Sequence, residues 1–228
     1  MKRLIAAIDT QDLLRARDMV RAVAPYCGLV KLGLEFFLRN GPDGFRAVAQ
    51  GSDVFLDLKL FDIPNTVAGA VRSLLPLAPK MLTVHANGGS NMIAAAAEAA
   101  AQAKQNRPKI LAVTVLTSFD EAGLAETGVS EGTTQQVLRL ARLALGAGAD
   151  GLVCSAHEIA ILRDAFGEKP LLVVPGIRPA GAALGDQARV MTPEQAVAAG
   201  ADYIVVGRPI TGTANPAEAA AAIANAIR

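Results

Sequence analysis

Three charged residues interrupt an apolar run, Val54-Phe55-Leu56-Asp57-Leu58-Lys59-Leu60-Phe61-Asp62-Ile63-Pro64. On an extended strand, side chains two apart point to one face, so Asp57 and Lys59 share a face. Asp62 follows where the strand must already turn toward a helix start at Pro64. A charge in a covered strand costs several kcal/mol unless it is paired, and an Asp–Lys–Asp cluster meets that need by mutual pairing. Two carboxylates beside a lysine also favour its protonated form. A Schiff-base lysine needs a neutral amine instead. Lys59 is therefore suited to act as a cationic general acid, protonating a carbanion or stabilising one as it forms. Solvated charges on an edge strand would leave Leu56, Leu58, Leu60 and Phe61 badly placed. A purely structural ion-pair network stays open as an alternative.

The elements that position this cluster follow one repeating pattern: a short apolar run, a polar or glycine-bearing end, then a helical stretch. The runs are Leu4–Ile8, Leu29–Leu32, Val54–Leu60, Met81–Val84, Ile110–Leu116, Gly151–Cys154, Leu171–Val174 and Tyr203–Val206. Most do not alternate apolar with polar, as expected of parallel strands covered on both faces. The intervening stretches carry helical spacing. Leu13, Leu14, Arg17, Met19, Val20 and Val23 fit one amphipathic helix, and Val67, Ala70, Val71, Leu74 and Leu75 another. Asn215-Pro216 reads as a helix cap followed by proline at the first helical position. Strands alternating with helices in this way predict an α/β fold, a (β/α)₈ TIM barrel formed as a single domain over 1–228. Such barrels typically take about 250 residues, so 228 leaves little room for insertions. A doubly wound open sheet is the competitor. It calls for a glycine-rich turn after the first strand, where Asp9-Thr10-Gln11-Asp12 stands instead.

In a barrel, the C-terminal strand ends form the mouth where active sites lie. Polar residues cluster at those ends. Asp9 closes the first strand, either as a site residue or as the cap of the first helix. Lys31 lies inside the second, in Val30-Lys31-Leu32-Gly33, and reads as a ligand contact. His85 ends the fourth, with structural and catalytic roles both open. Thr117 and Ser118 follow the fifth and can offer hydroxyls. His157, after the sixth, reads as a helix-start residue. The last two strands end in Pro175-Gly176-Ile177-Arg178 and Gly207-Arg208-Pro209. Loops at these positions often hold a phosphate through backbone N–H groups, and arginine adds a bidentate grip. The stretch 177–191 is rich in Gly, Ala and Pro, and its segment 180–188, with Gly181, Gly185 and Gln187, is suited to close over a ligand.

Composition excludes several other functions. The formal net charge is only +1 and aromatic residues make up 4%, which argues against a nucleic-acid polymer or an anionic membrane as partner. Met1-Lys2-Arg3 resembles the start of a signal peptide, but Asp9 cuts the apolar stretch short, and no tract is long enough to span a bilayer. A cytoplasmic location is expected. Cys27 and Cys154 sit in apolar runs and read as buried thiols, and no Cys/His spacing suggests a metal.

With both ends of the site in view, the sequence resembles the orotidine 5′-phosphate decarboxylase family. The resemblance centres on Asp57-Leu58-Lys59-Leu60-Phe61-Asp62-Ile63-Pro64-Asn65-Thr66, a D-x-K-x-x-D-I-P-x-T pattern. It extends through Asp9, Lys31-Leu32-Gly33, His85-Ala86-Asn87-Gly88-Gly89, Leu116-Thr117-Ser118, Pro175-Gly176-Ile177-Arg178 and Gly207-Arg208-Pro209. It implies cofactor-independent, metal-independent decarboxylation of orotidine 5′-phosphate to UMP in pyrimidine biosynthesis. Asp57 and Lys59 would face the orotate carboxylate and C6, with Lys59 delivering the proton that replaces CO₂. Asp9 and Lys31 would bind ribose hydroxyls, and Thr117 would lie against the pyrimidine. Arg178, Gln187, Gly207 and Arg208 would hold the phosphate. Asp62 and Thr66 would enter the neighbouring subunit's site, which implies a homodimer.

Two rivals are defined by what they require. A barrel resembling 3-keto-L-gulonate 6-phosphate decarboxylase would use Mg²⁺ and a carboxylate on the second strand, where Lys31 stands. A non-catalytic nucleotide sensor would not need Lys59 flanked by Asp57 and Asp62.

Overall fold

The computed structural model describes residues 2–179 and 191–228. In chain order the strands and α-helices are β1 (Leu4–Ile8), α1 (Leu13–Val23), β2 (Leu29–Gly33), α2 (Leu34–Ala49), β3 (Val54–Leu60), α3 (Pro64–Leu74), β4 (Met81–His85), α4 (Gly89–Ala101), β5 (Lys109–Val113), α5 (Glu121–Glu126), α6 (Gly132–Gly146), β6 (Gly151–Val153), α7 (Ile159–Phe166), β7 (Leu171–Val174), α8 (Pro193–Ala198), β8 (Tyr203–Val206), α9 (Arg208–Thr211) and α10 (Pro216–Ala226). The strands close in sequence order into a barrel, with β8 paired in parallel to β1. This is the expected (β/α)₈ architecture.

The continuous apolar runs have a direct cause. One set of strand residues packs outward against the helices, including Leu4, Ala6, Ile8, Val30, Leu32, Val54 and Leu56. The alternate set fills the interior: Ile5, Ala7, Leu29, Phe55, Met81, Leu111, Val173 and Val205. Both faces therefore remove apolar surface from water along most of each strand, which leaves polar residues to the strand ends.

The interior columns also explain how the site is positioned. Two residues beyond Ala7, Leu29, Phe55 and Met81 the same faces carry Asp9, Lys31, Asp57 and Thr83. The upper layer is thus polar from β1 to β4. Opposite it, Val113, Val153, Pro175 and Val205 keep an apolar wall.

Local signals behave largely as read. Proline opens α3 and α10, and the Asn215 side chain accepts a hydrogen bond from the Glu218 N–H at 3.3 Å. One open alternative closes and two readings need correction. The α1 cap is Asp12, which accepts from Leu14 and Arg15, so Asp9 is released from that role. The buried face of α1 runs through Ala16, Val20 and Val23, whereas Leu14 is exposed. Finally, β5 ends at Val113, short of Leu116. The Thr114 N–H and hydroxyl both donate to the Val153 carbonyl, and the chain then leaves the ladder. Val115 and Leu116 are apolar because they line the pocket beyond.

Candidate active site

A pocket at the C-terminal end of the barrel is lined by Lys31, Phe55, Asp57, Lys59, Val113, Leu116, Thr117 and Cys154, among others. Its charged wall is an alternating chain of ions. The Lys31 ammonium lies 3.1 Å from Asp9 Oδ1 and 3.7 Å from Asp57 Oδ2. Lys59 Nζ donates to both oxygens of Asp57 at 2.9 Å. The order Asp9–Lys31–Asp57–Lys59 places unlike charges next to each other and sums to zero. Burial alone would push the Asp57 carboxyl up. The charges of Lys31 and Lys59, with hydrogen bonds from Lys59 and Thr83, more than reverse this and hold it below the usual aspartate value.

Asp57 and Lys59 meet as their spacing predicts, but not through regular pleating. Lys59 has φ +50°, and the register between β3 and β4 shifts between Leu56 and Leu60. A lysine in the left-handed region is strained, and the bulge is where that strain sits.

Gly33 contributes to the same wall, a role that sequence reading did not single out beyond its place in the motif. A β-carbon there would lie 3.1 Å from Lys31 Nζ and 3.6 Å from Asp9 Oδ1, so glycine leaves room for the Asp9–Lys31 pair.

The expected Asp–Lys–Asp cluster does not form within one chain. Among the described residues no ion pair joins Asp62 to Lys59. Asp62 is exposed in the turn after β3, and its carboxylate accepts the Ile63 N–H at 2.6 Å. The second ionic partner of Asp57 comes from β2, as Lys31, and Asp57 is the carboxylate that Lys59 meets. Thr66, in the first turn of α3, is exposed on the same segment. Phe61 and Ile63 flank Asp62 and are 60% and 67% exposed, an unusual position for large apolar side chains.

At the other end, Gly176 has φ +78°, a conformation that glycine adopts at no steric cost. The Arg178 N–H donates to the Met191 carbonyl at 3.0 Å, and the Arg178 side chain is buried, donating to the Ile177 carbonyl. Burial, and then the charge of Arg208, lower the Arg178 pKa from its ordinary value. Two arginines that follow the paired strands β7 and β8 give this end of the mouth a positive character suited to an anion. Gly207 faces the mouth, where a β-carbon would lie 3.5 Å from Asp9 Oδ2. Gln187 and the glycines of the proposed closing loop lie outside the described residues.

The remaining candidates separate cleanly. His85 packs its ring 5.6 Å from that of Phe61, and burial, then the Lys59 charge, lower its pKa. His157 is exposed in a short helical turn after β6. Cys27 and Cys154 are buried thiols, and burial raises both pKa values, Cys27 to about 12. Thr83 is wholly buried and was missed, because a threonine in a strand looks like any β-branched strand former. Strand parity relative to Met81 would have found it. No helix among the described residues is long and apolar enough to cross a membrane.

Comparison with known proteins gives a consistent result. Residues 2–223 match the model of the orotidine 5′-phosphate decarboxylase / HUMPS family. The chain is 57% identical over 224 residues to orotidine 5′-phosphate decarboxylase of Gluconobacter oxydans, covering 97% of this chain and 95% of that protein. It is 55% identical to the enzyme of the same name from Anaeromyxobacter sp., with coverage of 98% and 97%. Among solved structures, orotidine 5′-phosphate decarboxylase from Lactobacillus acidophilus superposes with a TM-score of 0.89 at 37% identity, covering 100% of both chains.

Proposed function

The chain belongs to the orotidine 5′-phosphate decarboxylase / HUMPS family, and we propose that it is a carboxy-lyase converting orotidine 5′-phosphate to UMP in pyrimidine biosynthesis, without a cofactor. The observation that carries this reading is the Asp57 carboxylate held between the Lys31 and Lys59 ammonium groups against an apolar wall. In the proposed reaction, the bond from C6 to the carboxylate breaks heterolytically and CO₂ leaves. The electron pair stays on C6, and a proton from Lys59 Nζ forms the new C6–H bond. Solvent then restores the proton to Lys59. A fixed ammonium beside C6 stabilises the developing charge without reorganisation. Asp57 anchors that ammonium and also repels the substrate carboxylate, a repulsion relieved when CO₂ departs.

The rest of the assignment distributes binding around this centre. Asp9 and Lys31 take ribose hydroxyls, and Thr117 contacts the pyrimidine. Arg178, Gly207 and Arg208 hold the 5′-phosphate, with Gln187 joining from the loop. Phosphate binding supplies energy for organising the reacting end. We place two chains in a homodimer whose Asp62 and Thr66 enter the partner's site. The exposed Phe61 and Ile63 beside Asp62 support an apolar contact there. The whole chain 1–228 then works as one barrel domain in the cytoplasm.

Incubating the protein with orotidine 5′-phosphate and EDTA, and following loss of the orotate absorbance, tests the proposal. Turnover that survives EDTA is expected. Turnover that EDTA abolishes, and Mg²⁺ restores, would favour the magnesium-dependent rival. Binding of UMP with no turnover under either condition would favour a sensor.

A further inference from the structure

At the bulge in β3, one residue of β4 faces three of β3. Leu56 pairs with Leu82 and Leu60 with Val84, so Asp57, Leu58 and Lys59 stand opposite Thr83 alone. A regular ladder cannot serve the extra backbone groups there. Thr83 serves one of them, the Lys59 N–H, with its side chain. Its hydroxyl accepts the Lys59 backbone N–H at 2.8 Å and donates its single proton to Asp57 Oδ1 at 2.9 Å. Thr83 is fully buried, so no water competes for either bond. Thr83 is not among the residues that line the pocket.

We infer that Thr83 is a positioning residue for the decarboxylation, fixing the Asp57 carboxylate and the strained Lys59 backbone in one hydrogen-bonded unit. The inference rests on the decarboxylase reading for its kinetic consequence. The hydroxyl orients Asp57 so that both of its oxygens receive the Lys59 ammonium. It also satisfies the N–H of the residue whose φ of +50° must be maintained for that ammonium to point into the mouth. A main-chain acceptor on β4 could take the N–H but could not hold the carboxylate. Valine has the shape of threonine and neither hydrogen bond, whereas serine keeps both.

The test compares Thr83→Val and Thr83→Ser with wild type. Loss of a hydrogen bond to a buried charge predicts a fall in kcat of about 10- to 100-fold for Thr83→Val. UMP affinity should change by less than about 3-fold, since the phosphate end is untouched. Thr83→Ser should recover most of kcat. A second measurement is independent of turnover: the Asp57 carboxyl, followed by carbon-13 NMR in the ligand-free protein and assigned with Asp57→Asn. It faces Lys31 from β2 and Lys59 from its own strand, with Asp9 beyond Lys31 and His85 on β4 near Lys59. All of these remain in the variants, so a titration at higher pH in Thr83→Val, restored in Thr83→Ser, reports the lost hydroxyl. Undiminished kcat in Thr83→Val, equal losses in both variants, or an unmoved Asp57 titration would overturn the inference. If Thr83→Val does not fold, Thr83→Ala carries the same comparison. If wild type does not act on orotidine 5′-phosphate, the functional proposal fails, while the Asp57 titration still decides the role of Thr83.

Discussion

Asp57 keeps its charge where burial opposes it, because two ammonium groups and the Thr83 hydroxyl favour the ionised form. Its pKa is lowered in the folded chain, so its ionisation contributes stability above the unfolded value near 3.8 and loses that contribution as pH falls through the lower folded value. Asp57→Asn should therefore be less stable than wild type at neutral pH. The difference should shrink as pH falls from about 3.8 through the lower folded value, below which protonated Asp57 resembles asparagine. Denaturant titrations at several pH values check this, and a gap that widens on acidification would contradict it. At this scale the sequence was informative wherever a charge interrupted an apolar run, as at Lys31, Asp57 and Lys59. Sequence left Asp9 open between a site role and a cap, and the Asp12 cap removes the second. Spacing alone misjudged Asp62, because proximity along the chain does not survive the turn after β3.

The strands and loops show how one scaffold holds two chemistries apart. The upper interior layer is polar on β1 to β4 and apolar on β5 to β8, while Arg178 and Arg208 follow the neighbouring strands β7 and β8. If Arg208 holds the 5′-phosphate as proposed, Arg208→Ala should weaken UMP by about 10- to 100-fold while leaving uridine nearly unaffected. Calorimetry with the two ligands checks this, and equal losses would argue against a phosphate contact at Arg208. Most strand boundaries were legible because covered strands read as unbroken apolar runs. The β5 overrun shows the limit of that rule, since pocket-lining residues such as Val115 and Leu116 are as apolar as ladder residues. The β3 bulge was invisible for a related reason, because period-two alternation continues through Leu58 to Lys59 although the backbone does not.

For the whole molecule, the closed barrel was legible from repetition, whereas near-neutral bulk charge says nothing about a single small ligand. The zero-sum ion chain at one end and paired arginines at the other account for that silence. The exposed Asp62–Thr66 segment is where one chain looks incomplete. Mixing inactive Lys59→Ala and Asp62→Ala chains should restore about a quarter of wild-type sites at equal, random assortment, because each mixed dimer regains one intact site. No recovery in confirmed heterodimers would count against shared sites.

The central claim is that the Lys59 ammonium, anchored by Asp57, carries the loss of CO₂. The most direct measurement is CO₂ release from orotidine 5′-phosphate by wild type and by Lys59→Ala, with UMP binding and thermal unfolding of both as controls. The account predicts a folded, UMP-binding variant whose turnover falls on the order of 10⁴-fold or more. CO₂ release by folded Lys59→Ala at a rate near that of wild type would contradict it.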